Sequence, residues 1–215
     1  PLPELPDFAL VLKRLGINPQ SHVVVYDDKH GANAAARFWW MLRSIGHDKV
    51  QVLNGGIQAA EKAGFPMSHE PMKPAVVDNY PVEGWKLPMA DLPEIQANTE
   101  NGEYLIVDVR EEGRYRGEFE PIDLVAGHIP GAINLPFSTN LGEDGLFLQP
   151  EELAQAFHKA FHHTSPDKVA VHCGSGVTAC HTLLAMDYAG LVIPKLYVGS
   201  WSEWSRNDLE IAREE

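Results

Sequence analysis

Cys173 opens the run most able to do chemistry, Cys173-Gly-Ser-Gly-Val-Thr178. Ahead of it, Val169 to Val171 form the short apolar run of a buried strand; after it, Val177 to Ala189 carry a helical pattern. A thiol at that junction faces a helix N-terminus, where backbone N–H groups lack partners and carry about half a positive charge. Such a setting favours the thiolate, the nucleophilic form. Gly174 and Gly176 let successive N–H groups turn inward as a concave anion nest. The chemistry expected is a sulfur anion held by the amides of Gly174 through Thr178. Cys180 lies seven residues on, inside the helix, and is expected to be a small core residue.

The elements around this loop recur. Val23-Val-Val-Tyr-Asp27 matches the pattern of Val169-Ala-Val-His-Cys173, and the helix Ala32 to Ile45 matches Val177 to Ala189. Val52-Leu-Asn-Gly55-Gly56-Ile57 matches Leu196-Tyr-Val-Gly199-Ser200-Trp201. Two copies of one α/β unit explain this order, with Asp27 replacing the thiol in the first. Helices are expected over Leu5 to Leu15, Ile57 to Ala63, Asp91 to Asn98 and Glu151 to His162. Strands are expected over Val50 to Leu53, Tyr104 to Val107 and Ala132 to Leu135. Residues 110 to 126 look irregular, and Gly127-His-Ile-Pro-Gly131 forms a turn. Residues 64 to 90 hold Pro66, Pro71, Pro74, Pro81 and Pro88 and form a crossing between units. The expected domains are 1–75, catalytically inactive, and 76–215, catalytic. Each is a parallel sheet with helices on both faces. Only 26 residues precede Asp27, whereas 69 run from Tyr104 to Cys173, so the first domain is expected to lack its opening strands. The missing segment would then be a partner of this chain.

The chain has 215 residues, 44% apolar and 22% charged, the balance of a globular protein. Its formal net charge of −13 disfavours nucleic acid and anionic membrane as partners. An anionic substrate must therefore be held locally, by a few arginines and backbone N–H groups. No apolar run approaches the roughly 20 residues of a membrane helix. Two cysteines, one apparently reactive by its setting, fit the cytoplasm better than a disulfide scaffold.

Four runs together resemble the tandem-domain rhodanese sulfurtransferases: Cys173-Gly-Ser-Gly-Val-Thr-Ala, Val107-Asp-Val-Arg110 with Gly113-Arg114-Tyr115, Gly127-His-Ile-Pro-Gly131, and Gly199-Ser-Trp-Ser-Glu-Trp204. The resemblance implies a small-molecule sulfur donor, a Cys173 persulfide, a thiol or cyanide acceptor, and neither metal nor organic cofactor. It implies that Arg114 holds the donor's anionic group. Gly174 and Ser175 are neutral, as in the mercaptopyruvate-preferring branch, and Ser175 is the candidate proton relay. Thiosulfate stays open as donor, because Ile122 follows Glu120-Pro121 where that branch carries a second arginine; Arg116 is the candidate replacement. Asp108 and Arg110 are expected to brace the domain, His128 to shape its turn, His172 to be structural, and Trp201 and Trp204 to line core or pocket.

Two rivals are a non-catalytic rhodanese-like binding module and a Cys-dependent phosphatase. A Cys-x5-Arg phosphate loop would place its arginine at position 179, which is Ala179. The retained Cys173 argues against a purely binding role for the second unit.

Overall fold

A computed structural model describes residues 1–162 and 164–214. The chain divides into two compact units, Leu2–Leu87 and Pro88–Glu215. The division falls inside the crossing expected over residues 64 to 90, nearer its end than the boundary set after residue 75. Two aromatic residues account for the shift. Tyr80 is buried and its hydroxyl lies 2.8 Å from His47 Nδ1. Trp85 stacks on Trp40 and tilts against Phe8, with ring centroids 6.3 and 5.4 Å apart. The proline-rich segment is therefore tied to the first unit's core by side chains that proline spacing does not reveal.

The first unit contains α1 (Leu5–Arg14), β1 (Val23–Val25), α2 (Ala34–Ser44), β2 (Val50–Val52) and α3 (Gly56–Lys62). β1 and β2 pair in parallel, Val23 opposite Val50. Phe8 and Leu12 of α1 and Trp39, Trp40 and Leu42 of α2 are buried in its core, and Phe8 meets Phe38 edge-on. Val24 and Tyr26 are more than half exposed.

The second unit contains β3 (Met89–Ala90), α4 (Leu92–Asn101), β4 (Leu105–Asp108), α5 (Glu112–Arg116), β5 (Ile133–Asn134), α6 (Pro150–Ala160), β6 (Val169–His172), α7 (Ala179–Tyr188), β7 (Lys195–Tyr197) and α8 (Ser200–Trp204). Its five strands are parallel, in the order β3-β7-β6-β4-β5. β6 is central and every residue of it is buried, as its unbroken apolar run requires. α7 is buried from Ala179 through Met186, with His181 and Thr182 as its buried polar residues. Trp201 and Trp204 join Ile95, Ile106, Tyr115 and Tyr197 in the core. The architecture is α/β with parallel sheets, as expected. Residues 110 to 126 depart from expectation, because Glu112–Arg116 form one helical turn and a half, closed by Gly117 at φ 87°. Five polar residues are too few to show a period.

No helix among the described residues is long and apolar enough to cross a membrane.

Candidate active site

Cys173 follows the last residue of the central strand. Ligands of open parallel sheets gather at these carboxyl ends. Five residues, 174–178, then lead into α7. The loop is pinned from behind by α8. Trp201 N–H donates to Cys173 O at 3.0 Å and Ser202 N–H to Gly174 O at 2.7 Å. Ser200 has a positive φ of 55°; its hydroxyl donates to Tyr197 O and accepts from Cys173 N–H. Gly176 has φ +72°, and a Cβ there would meet Val198 O at 2.4 Å, so this position needs glycine. With the carbonyls pinned, the N–H groups of Gly174, Ser175, Val177 and Thr178 donate to no protein acceptor among the described residues.

Cys173 is 3% exposed, yet it lines a cavity of about 160 Å³. Gly174, Thr178, Arg110, Glu111 and Arg114 share its polar wall, and Val109, Pro121, Ile122 and Phe137 form the apolar one. The expected residues Cys173, Gly174, Thr178 and Arg114 are thus brought together. Gly176 and Val177 are not among the residues lining this cavity, and Ser175 is exposed outside it. Ala179, where a phosphatase loop would carry arginine, is buried at the start of α7.

Arg114 is held by acids. Its Nε lies 3.0 Å from both Glu120 oxygens; its Nη2 lies 2.7 Å from Glu120 Oε1 and 3.3 Å from Asp123 Oδ2. A Cβ on Gly174 would stand 3.5 Å from Arg114 Nη2 and 3.8 Å from Nη1, so the guanidinium lies within van der Waals reach of the residue after the nucleophile. Burial alone would raise the Glu120 pKa. The Arg114 side chain and the N–H groups of Asp123 and Ile122 outweigh burial and hold it below the usual carboxylate range.

The bracing residues behave as their chemistry suggests. Arg110 pairs with Asp108 at 2.6 Å and with Glu120 at 3.2 Å, donates to Gly127 O, and lies over the Trp201 ring. His128 stacks on Tyr115 at 3.8 Å with Nδ1 against Tyr115 O, so it shapes the turn and does not line the cavity. His172 is fully buried, and burial holds its pKa below the ordinary value although Asp108 pulls the other way. Its Nε2 lies 3.7 Å from Asp108 as a neutral ring, not as an ion-pair partner. Arg116 does not replace a second arginine. It pairs with Glu112 at 3.0 Å and lines a different depression, with Tyr115, Asn134 and Glu214.

The rhodanese-like domain family matches residues 1–63 and 91–207. The chain belongs to the rhodanese family. It is 43% identical over 207 residues to a probable 3-mercaptopyruvate sulfurtransferase of Pseudomonas aeruginosa, covering 95% of this chain and 72% of that one. It is 40% identical over 204 residues to thiosulfate sulfurtransferase of Gallus gallus, covering 94% and 70%. Among solved structures, 3-mercaptopyruvate sulfurtransferase from Leishmania major superposes with a TM-score of 0.83 at 33% identity, over 96% of this chain. The rhodanese chain spans 57% of that protein's length. These relatives place it among the sulfurtransferases.

Sequence reasoning missed Glu120 and Asp123 as partners of Arg114 in this rhodanese. Their one visible signal is the acidic pair flanking Pro121, three residues apart, close after Arg114.

Proposed function

We propose that the second unit is a sulfur-transfer centre in which Cys173 carries sulfur as a persulfide, with 3-mercaptopyruvate as the favoured donor. The observation behind this is the single cavity shared by Cys173, Gly174, Thr178 and Arg114. Arg114 receives the donor carboxylate, and the Cys173 thiolate attacks the donor sulfur. The carbon–sulfur bond breaks and its electron pair leaves as the enolate of pyruvate. The proton on the transferred sulfur passes to that enolate, leaving a Cys173 persulfide anion and pyruvate. An acceptor thiolate or cyanide then attacks the outer sulfur and frees the Cys173 thiolate. The N–H groups of Gly174 through Thr178 stabilise the persulfide anion, and the hydroxyl of Ser175, exposed on the loop next to Gly174, relays the proton. No metal or organic cofactor is part of this cycle.

Thiosulfate is the second donor reading, favoured by the Gallus gallus relative's name. Its outer sulfur moves to Cys173 and sulfite leaves with the electron pair. Two free thiols, Cys173 and Cys180, support a reducing compartment, the cytoplasm.

Intact-mass measurement after incubation with donor tests the cycle. A gain of about 32 Da, one sulfur atom, is expected on Cys173 and none in Cys173→Ser. No gain, or a gain on Cys180, overturns it.

A further inference from the structure

We infer that Asp123 is a positioning and specificity residue that makes the cavity select singly charged over doubly charged sulfur donors. The inference rests on the sulfur-transfer reading and adds a charge filter to it. The Asp123 side chain is 1% exposed. One carboxylate oxygen lies 3.3 Å from Arg114 Nη2; the other accepts from the Ser202 hydroxyl at 2.5 Å and lies 3.3 Å from Arg206 Nη1. Ser202 also donates its own N–H to Gly174 O. Asp123 therefore ties the anion-binding guanidinium to the helix that holds the start of the nucleophile loop. A Cβ on Gly174 would lie 3.6 Å from Asp123 Oδ2, so this negative charge stands at the edge of the place where a donor anion arrives.

Charge then decides. Two guanidinium groups of the lining, Arg110 and Arg114, are paired from behind with three buried carboxylates, Asp108, Glu120 and Asp123, and the exposed Glu111 adds a fourth carboxylate to the lining. Arg206, half exposed, is screened by solvent. With Nε and Nη2 engaged by the acids, Nη1 is the part of Arg114 that offers a donor to an incoming anion. One charge-assisted contact and a loop of amides suit one negative charge. A second charge on the same ligand meets the Asp123 carboxylate.

The test compares wild type with Asp123→Asn. The first readout is the ratio of kcat/KM for thiosulfate to that for 3-mercaptopyruvate, with cyanide as acceptor. Removing one unit charge close to the anion is expected to raise this ratio about tenfold, mainly through the thiosulfate KM. Ser202→Ala keeps the charge and removes one bond; its ratio is expected to stay within about twofold of wild type. The second readout needs no turnover: protection of Cys173 from neutral iodoacetamide by sulfate and by acetate. Wild type is expected to be protected better by acetate at equal concentration, and Asp123→Asn is expected to narrow or reverse that order. An unchanged ratio, or a parallel fall for both donors, overturns the filter and makes Asp123 a structural brace. Wild type turning over neither donor refutes the sulfur-transfer reading, and the protection order still decides the charge filter. If Asp123→Asn does not fold, Asp123→Ser takes its place, and stronger protection of wild type by sulfate than by acetate alone overturns the inference.

Discussion

The two units build the same loop and fill it differently. In the second, Trp201 N–H donates to Cys173 O; in the first, Ile57 N–H donates to Asp27 O, also at 3.0 Å. In the second, Ser202 N–H holds Gly174 O; in the first, the Gln58 side chain holds Asp28 O at 2.9 Å. Gly56 at φ +65° stands where the second unit has Ser200 at φ 55°. The two scaffolds thus hold the same two carbonyls, the first carbonyl through an equivalent backbone bond and the second through different donors. The difference is what the loop amides do. Asp27 turns its carboxylate back on its own loop and accepts from Lys29 and Gly31 N–H through one oxygen, and from Asn33 and Ala35 N–H through the other, at 2.8–3.1 Å. The first unit supplies its own anion. Cys173 has no such group, and the N–H groups of Gly174, Ser175, Val177 and Thr178 donate to no protein acceptor among the described residues. One cradle is spent on stability and the other is kept for chemistry.

The largest break in this comparison comes from backbone, not from charge. Gly176→Ala places a methyl 2.4 Å from Val198 O at a positive φ, so the loop must move. The rate of sulfur transfer is expected to fall about a hundredfold or more, because every amide shifts together. Gly56→Ala makes the equivalent clash, 2.5 Å from Asp27 O. It is expected to lower stability by about 2–4 kcal/mol while activity falls less than about threefold. Denaturant unfolding and steady-state kinetics on both variants give the answer. An equal loss of activity in the two ends the claim that the first loop is only a scaffold.

Much of this contrast was legible in the chain. A strand, a glycine loop and a helix are local patterns, so the repeat and Cys173 stand out, and so does Asp27 in its place. Long-range partners are not local. Nothing near Arg114 says that Ser202 and Arg206 reach Asp123, or that Arg116 turns toward Glu214. Met89–Ala90 is two residues of strand, defined only by pairing with Leu196 and Tyr197. Where the units divide within residues 64 to 90 is hidden for the same reason, since Tyr80 and Trp85 declare their side only by touching His47, Trp40 and Phe8.

The next effect is the anion of the first unit. Burial pushes the Asp27 pKa up, but the four N–H groups outweigh it and leave the pKa below its ordinary value. A carboxyl with a lowered native pKa stabilises the fold above its unfolded pKa of about 3.9, and loses that contribution as pH falls through the native value. Asp27→Asn is expected to cost about 1–3 kcal/mol at pH 6, from weakened charge-assisted bonds discounted for partial exposure. The gap from wild type is expected to close as pH drops below about 4. Urea unfolding of both proteins between pH 3 and 6 measures it. A gap that stays constant across that range means shape, and not charge, fills the first cradle.

The smallest effect probes how the second loop holds its form without an internal anion. Cys180 is fully buried and its S–H points to Gly176 O at 3.3 Å. The residue seven places after Asp27 is Ala34, which has no such donor. If the thiol helps keep the Gly176 carbonyl turned away from the nucleophile, Cys180→Ala makes the active loop resemble the first one. A weak sulfur donor is worth little, so kcat is expected to fall about threefold with KM unchanged, and Cys180→Ser is expected to restore part of it. Equal kcat in wild type and Cys180→Ala would leave the left-handed backbone that only glycine allows at Gly176, together with the two α8 bonds, as what shapes the open cradle. The two units would then differ in their anion alone.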